Sequence, residues 1–229
     1  MNLKHRYDRN KSLISQEDQD LLASKTIAVI GAGGLGGHLA ELIARLGIGK
    51  LIIIDGDVFE ESNLNRQRFS NENNLGKPKA LEAKRELEKI NSQVDIIAVH
   101  DTVSKKNGKD LLEGADLVLD GVDNARTRLL LEDLCNQLQI PLVHGAIGGW
   151  YGQVSVVMPG DGTLSTIYSD PDMEGVEKEL GNPSFTPALI ASYQVAEALK
   201  VVLGIGEILR KKILFIDTLT NNTNVIELE

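Results

Sequence analysis

Cysteine is nearly absent from this sequence, and its single copy, Cys135, excludes two kinds of framework. One cysteine cannot form an intrachain disulfide, which is typical of proteins from a reducing compartment. One cysteine also excludes a zinc site built on four thiolates. We therefore expect neither disulfides nor structural zinc.

Long apolar runs and an excess of basic charge are missing as well. No stretch approaches the roughly 18 residues of a membrane-spanning helix, and residues 1–10 are polar and charged, unlike a signal peptide. The 24 Lys and Arg residues are outnumbered by 33 Asp and Glu, which gives a net charge of −9. General nucleic-acid binding requires the opposite balance. We expect a soluble cytoplasmic protein with neither a membrane nor nucleic acid as partner.

A glycine-rich turn lies between a predicted strand and a predicted helix. Residues 26–30 are a β-branched run that suits a buried strand, and apolar residues recur at helical spacing over 35–46. Glycines allow a tight turn, close approach of the backbone to a phosphate, and close packing of helix on strand. The turn therefore predicts a nucleotide site, and by itself permits a NAD-dependent oxidoreductase as well as an ATP-dependent enzyme. Its glycines are Gly31, Gly33, Gly34 and Gly36.

Strand and helix patterns alternate over residues 26–144, and this alternation predicts an α/β fold with a doubly wound, Rossmann-like and mostly parallel sheet. The pattern changes after residue 145. A sixth strand is followed by a Gly/Pro/Asp-rich loop at 159–185 and a long helix, with Thr186 as the predicted N-cap. Two final strands should extend the sheet in antiparallel fashion. We expect one domain over 1–229, in which an N-terminal arm and helix (1–25) precede the nucleotide-binding core.

Charged side chains follow the predicted strands at the edge where ligands bind in doubly wound sheets. Asp55 lies 19 residues past the last glycine of the turn, where the fingerprint places an acid that holds ribose. Arg66 lies in the long loop 58–78, Lys79 opens the next helix, and Asp123 follows the fourth strand. Fixed cations stabilise charge that develops on phosphates, and a lone carboxylate suits Mg²⁺. The set favours transfer chemistry at ATP over hydride transfer.

Six ordered motifs, taken together, resemble the ThiF-type adenylyltransferases, bacterial relatives of ubiquitin-activating enzymes that activate ubiquitin-like sulfur carriers in thiamine and molybdopterin biosynthesis. The resemblance covers nearly the whole chain. The motifs are Arg6-Tyr7-Asp8-Arg9, Gly31-x-Gly33-Gly34-Leu35-Gly36, Asp55-x-Asp57, Ser62-Asn63-Leu64-x-Arg66-Gln67, Gly76-Lys77-Pro78-Lys79 and Asp120-x-x-Asp123-Asn124.

The resemblance implies that the C-terminal glycine carboxylate of a small carrier ending in Gly-Gly attacks the α-phosphate of ATP and releases pyrophosphate. It implies that Arg66 and Lys79 hold phosphates and that Asp123 binds Mg²⁺. Arg9 is expected to reach the ATP of the second subunit of a homodimer, although spacing alone favours a solvated arm for its segment. Residues 145–229 would bind the carrier and form the dimer, with 159–185 as the crossover loop. The remaining nucleotide contacts would come from Asp55, which holds the ribose, and from Asp57, Asn63, Gln67, Val122 and Asn124.

Two departures from the family pattern leave the downstream chemistry open. Many relatives carry two Cys-x-x-Cys pairs for zinc and a cysteine in the crossover loop, and this chain has neither. The pattern therefore favours adenylation without a covalent cysteine step. Two alternatives stay open at this point: an enzyme that cyclises a tRNA-bound threonylcarbamoyl group, and a non-catalytic partner subunit of an activating complex. The sequence names neither the carrier nor the acceptor of the acyl-adenylate.

Overall fold

The computed structural model describes residues 5–10, 13–173, 175 and 177–228. Eight strands form one sheet in the order β3-β2-β1-β4-β5-β6-β7-β8. The strands are β1 (Thr26–Ile30), β2 (Lys50–Ile54), β3 (Asp95–Val99), β4 (Leu117–Asp120), β5 (Leu142–Gly148), β6 (Tyr151–Val157), β7 (Lys212–Asp217) and β8 (Asn222–Glu227). The helices are α1 (Gln16–Ala23), α2 (Gly34–Leu46), α3 (Lys79–Ile90), α4 (Gly108–Leu112), α5 (Ala125–Leu138), α6 (Thr163–Ile167), α7 (Glu177–Leu180) and α8 (Phe185–Leu203).

The predicted α/β architecture is confirmed. Strands β1 to β5 pair in parallel, and β6, β7 and β8 extend the sheet antiparallel from β5. Strand order reverses between β1 and β4, which is where a doubly wound sheet opens a crevice. Within the described residues no helix is long and apolar enough to cross a membrane.

Two apolar cores cover the two faces of the sheet. Alternate residues of β1 enter different cores, with Ile27 and Val29 on the α2, α3 and α8 side and Ala28 and Ile30 on the α4, α5 and α6 side. A strand that is buried on both faces reads as a continuous apolar run, which is why β1 shows no alternation in the sequence.

Two local predictions need correction. Helix α8 begins at Phe185 with Ser184 at the N-cap, and Thr186 does not cap it. The Thr186 hydroxyl instead donates to the carbonyl of Gly149 at 2.7 Å, because the helix start packs against the β5–β6 turn. The region 159–185 is also less irregular than its composition indicates, since α6 and α7 lie within it.

The N-terminal arm is anchored and does not behave as the solvated segment that spacing favours. Arg6 donates to the carbonyl of Ile90 at 2.6 Å, and the Tyr7 hydroxyl accepts from Asn91 at 3.0 Å. The Tyr7 ring lies so close to Gly47, at the end of α2, that a methyl group there would overlap it. The arm therefore packs across the carboxyl ends of α2 and α3.

Candidate functional site

A cleft of about 500 Å³ opens at the carboxyl ends of β1, β2 and β4. It brings together eleven of the fourteen residues predicted for the site. They are Gly31, Gly33, Gly34, Asp55, Asp57, Arg66, Gln67, Lys79, Val122, Asp123 and Asn124. A smaller cavity of about 240 Å³ beside Cys135 contains none of them.

The glycine turn is as tight as the fingerprint requires. Gly31 has φ +90°, and a Cβ there would overlap the carbonyl of Gly121 on the neighbouring strand's turn. Gly36 lies behind the cleft wall, where a Cβ would overlap the carbonyl of Gly31. Helix α2 therefore starts directly against the turn, and the N–H groups of its first turn, which have no intrahelical acceptor, point toward the cleft.

Asp55 connects the end of β2 to the glycine turn. One carboxylate oxygen accepts from the N–H of Ala32 at 2.6 Å, and the other accepts from the N–H of Asp57 at 2.8 Å. Burial raises the pKa of Asp55 above its usual range, and the two N–H groups offset part of that rise. The carboxylate fixes the turn and still forms part of the cleft wall, where the fingerprint places a ribose contact.

Two cations and a buried amide flank the turn. The Lys79 ammonium lies 3.0 Å from the Asp57 carboxylate, with the lysine side chain 9% exposed and the aspartate 75% exposed. Arg66 donates to its own loop, to the Ser62 carbonyl at 2.9 Å. Gln67 is buried beside Gly33, and its Oε1 has no hydrogen-bond partner in the part of the chain that the structure describes. A buried polar atom without a partner at a cleft wall is suited to bonding a ligand.

Asp57 explains why a cation is tolerated in the first turn of α3. Lys79 is the first residue of that helix, where the macrodipole disfavours positive charge by about 0.3–1 kcal/mol. The structure supplies the Asp57 carboxylate, which remains open to solvent on its other side.

Asp123 is exposed at the rim opposite the glycine turn. Asn124 next to it caps α5 by accepting from the N–H of Thr127 at 2.9 Å, and its amide donates to Asp123 at 3.1 Å. No group of three or more His, Cys, Asp or Glu side chains gathers at a metal-binding distance among the described residues. Mg²⁺ characteristically takes one or two carboxylates together with phosphate oxygens and water, so Asp123 fits that ion as part of a nucleotide complex.

Three predicted residues do not line the cleft. Gly36 supports the turn from behind, as described above. Asn63 is buried beneath the wall, where its Oδ1 accepts from the N–H of Glu60 at 3.0 Å and its role is to shape the loop that carries Arg66. Arg9 is exposed on the N-terminal arm and does not line the cleft of its own chain.

Other residues of the wall were missed at the sequence level. Thr102 follows β3 and could have been found, because the carboxyl ends of parallel strands share one edge. Arg128 could have been found one turn into α5. Ile147 comes from the end of β5 and Asn182 from the loop between α7 and α8, and the Asn182 carbonyl accepts from Asn65, 117 residues away. No local pattern indicates such a contact.

Cys135 is confirmed as a core residue of α5. It is 3% exposed, and burial raises the pKa of its thiol to about 12. Since the thiolate is the nucleophilic form, this thiol is inert at neutral pH. The site therefore has no cysteine nucleophile from this chain.

The sequence matches a model described as the ThiF family over residues 7–229. It is 34% identical over 219 residues to the SAMP-activating enzyme E1 of Haloferax volcanii, with 93% of this chain and 81% of that protein covered. It is 35% identical over 225 residues to the sulfur carrier protein adenylyltransferase of Thermus thermophilus, with 93% and 83% covered. It is also 34% identical to the maize protein named adenylyltransferase and sulfurtransferase MOCS3-1, but spans only 49% of its length.

The fold is shared with solved structures of much lower sequence identity. A crystal structure of E. coli MccB superimposes with a TM-score of 0.84 at 22% identity, covering 99% of this chain and 70% of that one. A crystal structure of PaaA gives a TM-score of 0.82 at 20% identity, covering 100% and 75%. The extended sheet described above is therefore an arrangement found in other solved structures.

Proposed function

Because this chain belongs to the ThiF family, we propose that it is an ATP-dependent adenylyltransferase that activates the C-terminal glycine carboxylate of a small ubiquitin-like carrier ending in Gly-Gly. A carboxylate oxygen of that glycine attacks the α-phosphorus of ATP. The bond from the α-phosphorus to the bridging oxygen of pyrophosphate breaks, and the products are an acyl-adenylate and pyrophosphate. The observation that carries this proposal is the convergence of the glycine turn, two cations and Asp123 on one cleft.

The residues of the cleft are assigned by their chemistry. The glycine turn and the first turn of α2 receive phosphate oxygens through backbone N–H groups. Asp55 holds the ribose, and Gln67, Asp57, Val122 and Asn124 surround the nucleotide. Asn63 acts from beneath the wall by shaping the loop.

Arg66 and Lys79 neutralise charge on the phosphates. Negative charge grows on the leaving pyrophosphate in the transition state, so cations fixed at that position stabilise the transition state more than the bound substrate. Asp123 would hold Mg²⁺, which would neutralise phosphate charge when bound. The Lys79–Asp57 pair keeps the ammonium extended along the wall before ATP arrives.

The two halves of the chain have different binding roles in this proposal. Residues 26–144 bind the nucleotide, and residues 145–229 bind the carrier and form a homodimer, with 159–185 as the crossover loop over the carrier's tail. Arg9 completes the site of the partner subunit. The inert thiol of Cys135 supports release of the acyl-adenylate to a separate nucleophile, in the cytoplasm, in place of a thioester on this chain.

The direct test is carrier-dependent exchange of ³²P-labelled pyrophosphate into ATP. The carrier to use is the small Gly-Gly-terminated ubiquitin-like protein encoded nearest to this chain. We expect exchange that requires both the carrier and Mg²⁺. The Arg66→Ala variant should exchange pyrophosphate about 10²–10³-fold more slowly than the wild type, because one fixed transition-state contact is removed.

A matched control is Arg85→Ala, since the half-exposed Arg85 pairs with the buried Glu82 of the same helix, and neither residue lines the cleft. It should keep wild-type exchange within about twofold. Calorimetry with ATP alone tests the alternative of a non-catalytic partner subunit, because such a subunit would bind no ATP at millimolar concentration. Absence of exchange together with absence of ATP binding would refute the proposal.

A further inference from the structure

A buried ionic network lies directly behind the turn that carries Asp123. Asp120, the last residue of β4, is fully buried, and its Oδ2 lies 2.6 Å from Nδ1 of the equally buried His144. The same oxygen lies 3.6 Å from Nε of Arg128, whose side chain is 7% exposed. Charged groups are buried at considerable cost, so a paired set at this depth holds a defined geometry.

This network forms hydrogen bonds to the peptide units on both sides of Val122. The Oδ1 of Asp120 accepts from the Val122 N–H at 2.9 Å, and Nη2 of Arg128 donates to the Val122 carbonyl at 2.9 Å. The next residue in the chain is Asp123. The backbone that sets the position of the Asp123 carboxylate is therefore held at two points by two oppositely charged side chains.

The opposite side of Arg128 rests on a residue of the crossover loop, Tyr168. The guanidinium carbon lies 5.2 Å from the centroid of the Tyr168 ring, a cation–π distance. The Tyr168 hydroxyl lies 3.1 Å from Nε2 of His144 and accepts from Gln153 at 3.0 Å. Tyr168 is the C-cap of α6, and α6 is tied to α5 by the Glu132 carboxylate, which accepts from the N–H groups of Leu164 and Ser165.

From these contacts we propose that Arg128 is a positioning residue. It holds the 121–124 turn so that Asp123 faces the nucleotide, and the Tyr168 ring holds Arg128 in its working rotamer. The inference rests on the proposed adenylyl transfer and adds to it a link from the 159–173 segment to the nucleotide cleft. Displacement of a reacting group by about 1 Å can cost about 10²-fold in rate, which is the scale expected here.

The test compares four variants in the exchange assay and in ATP calorimetry. Arg128→Ala removes the guanidinium, and Arg128→Lys keeps the charge but replaces the planar fork with a single ammonium. Tyr168→Leu removes the ring, whereas Tyr168→Phe keeps the ring and removes only the hydroxyl. Arg126→Ala is the matched control, since Arg126 lies two residues away on the same helix and pairs with Asp172 at the exposed surface.

We expect Arg128→Ala to lower kcat by about 10²-fold while the Kd for ATP changes less than threefold, because the side chains assigned to bind ATP, Asp55, Arg66 and Lys79, are left in place. Arg128→Lys should recover only part of kcat, and 50 mM guanidinium should restore part of the rate in Arg128→Ala but not in Arg126→Ala. Tyr168→Leu should lower kcat about tenfold and Tyr168→Phe less than threefold. A purely structural role would make the two Tyr168 variants equal, or would change kcat and Kd in parallel, and either result would overturn the inference.

Failure of the underlying function is distinguishable from failure of this inference. A wild-type protein without exchange would refute the proposed function. An active wild-type protein whose Arg128→Ala variant matches Arg126→Ala would refute the positioning role alone. If Arg128→Ala does not fold, as judged by thermal unfolding, the Tyr168 pair and Arg128→Lys still decide the question.

Discussion

The parallel half of the sheet and its antiparallel extension differ in how deeply their strands are buried. Strand β4 is buried at every position, and β1 divides its side chains between two cores. Strand β8, at the far edge, is exposed at every position, and its sequence Asn-Thr-Asn-Val-Ile-Glu mixes polar and apolar residues. A strand covered by helices on both faces provides a rigid frame for a site, whereas an exposed edge strand contributes little to the core. The parallel half therefore provides the frame of the cleft and most of its wall.

The largest expected difference between the halves concerns charge burial. Asp120→Ala removes one member of the buried network at the end of β4 and leaves the Arg128 charge without its partner, which should cost about 3–5 kcal/mol of unfolding free energy. Glu227→Ala removes the exposed partner of Lys212, 3.1 Å away on β7, and should cost less than about 1 kcal/mol. Urea denaturation of both variants measures the contrast, and equal losses would refute it.

The next effect is on rate and not on stability. Lys79→Met removes a cation from the cleft wall and should lower carrier-dependent exchange by about 10²–10³-fold with a small change in unfolding free energy, because its partner Asp57 is exposed. Lys84→Met is the matched control on the same helix, where Lys84 pairs with Glu88 at the surface. If both variants exchanged pyrophosphate at the same rate, Lys79 would have no role in transfer.

The smallest effect concerns pH, where the two halves should show slopes of opposite sign. In the extension, Arg210 holds the pKa of Asp161 below its usual range, so this pair stabilises the fold above about pH 4 and loses that contribution as pH falls through the lowered pKa. In the parallel half, burial raises the pKa of Asp55, so its contribution is present below about pH 4 and is lost as pH rises through the raised pKa.

Urea unfolding between pH 3 and pH 7 tests the sign in the extension. The Arg210→Met variant should lose less stability than the wild type on acidification, because the pKa of Asp161 returns toward its ordinary value. The Lys212→Met variant, which removes a nearby exposed cation, should follow the wild-type profile. A wild-type slope that is unchanged in Arg210→Met would show that this pair does not contribute to the acid dependence.

Much of the parallel half was predictable because its signals are local. The run 26–30, the glycines and the helical spacing after them specify a strand–turn–helix unit without any distant contact. The sheet rule then brings Asp55, Asp123 and Lys79 to one edge, and the structure places all three on the cleft wall. The assigned roles of these residues remain proposals that the experiments above address.

The extension was harder to predict, since its details depend on contacts between distant segments. Thr186 precedes a proline at a plausible helix start, yet its hydroxyl donates to Gly149, 37 residues earlier. Asn182 reaches the cleft wall through a bond from the loop that carries Arg66. The N-terminal arm was equally hard to predict. Its two arginines, Arg6 and Arg9, lie in a polar segment, yet Tyr7 between them packs on Gly47.

The sequence by itself determined the mostly parallel sheet, its antiparallel extension, the glycine turn and most of the cleft wall, because each follows from local periodicity and from the common edge of parallel strands. Only the tertiary structure decided how the Asp123 turn is held. Asp120, Arg128, His144 and Tyr168 are separated by up to 48 residues and meet in a buried network at the junction of the two halves. Side chains far apart in sequence come together through the packing of α5 and α6 against the sheet, and no local pattern encodes that packing.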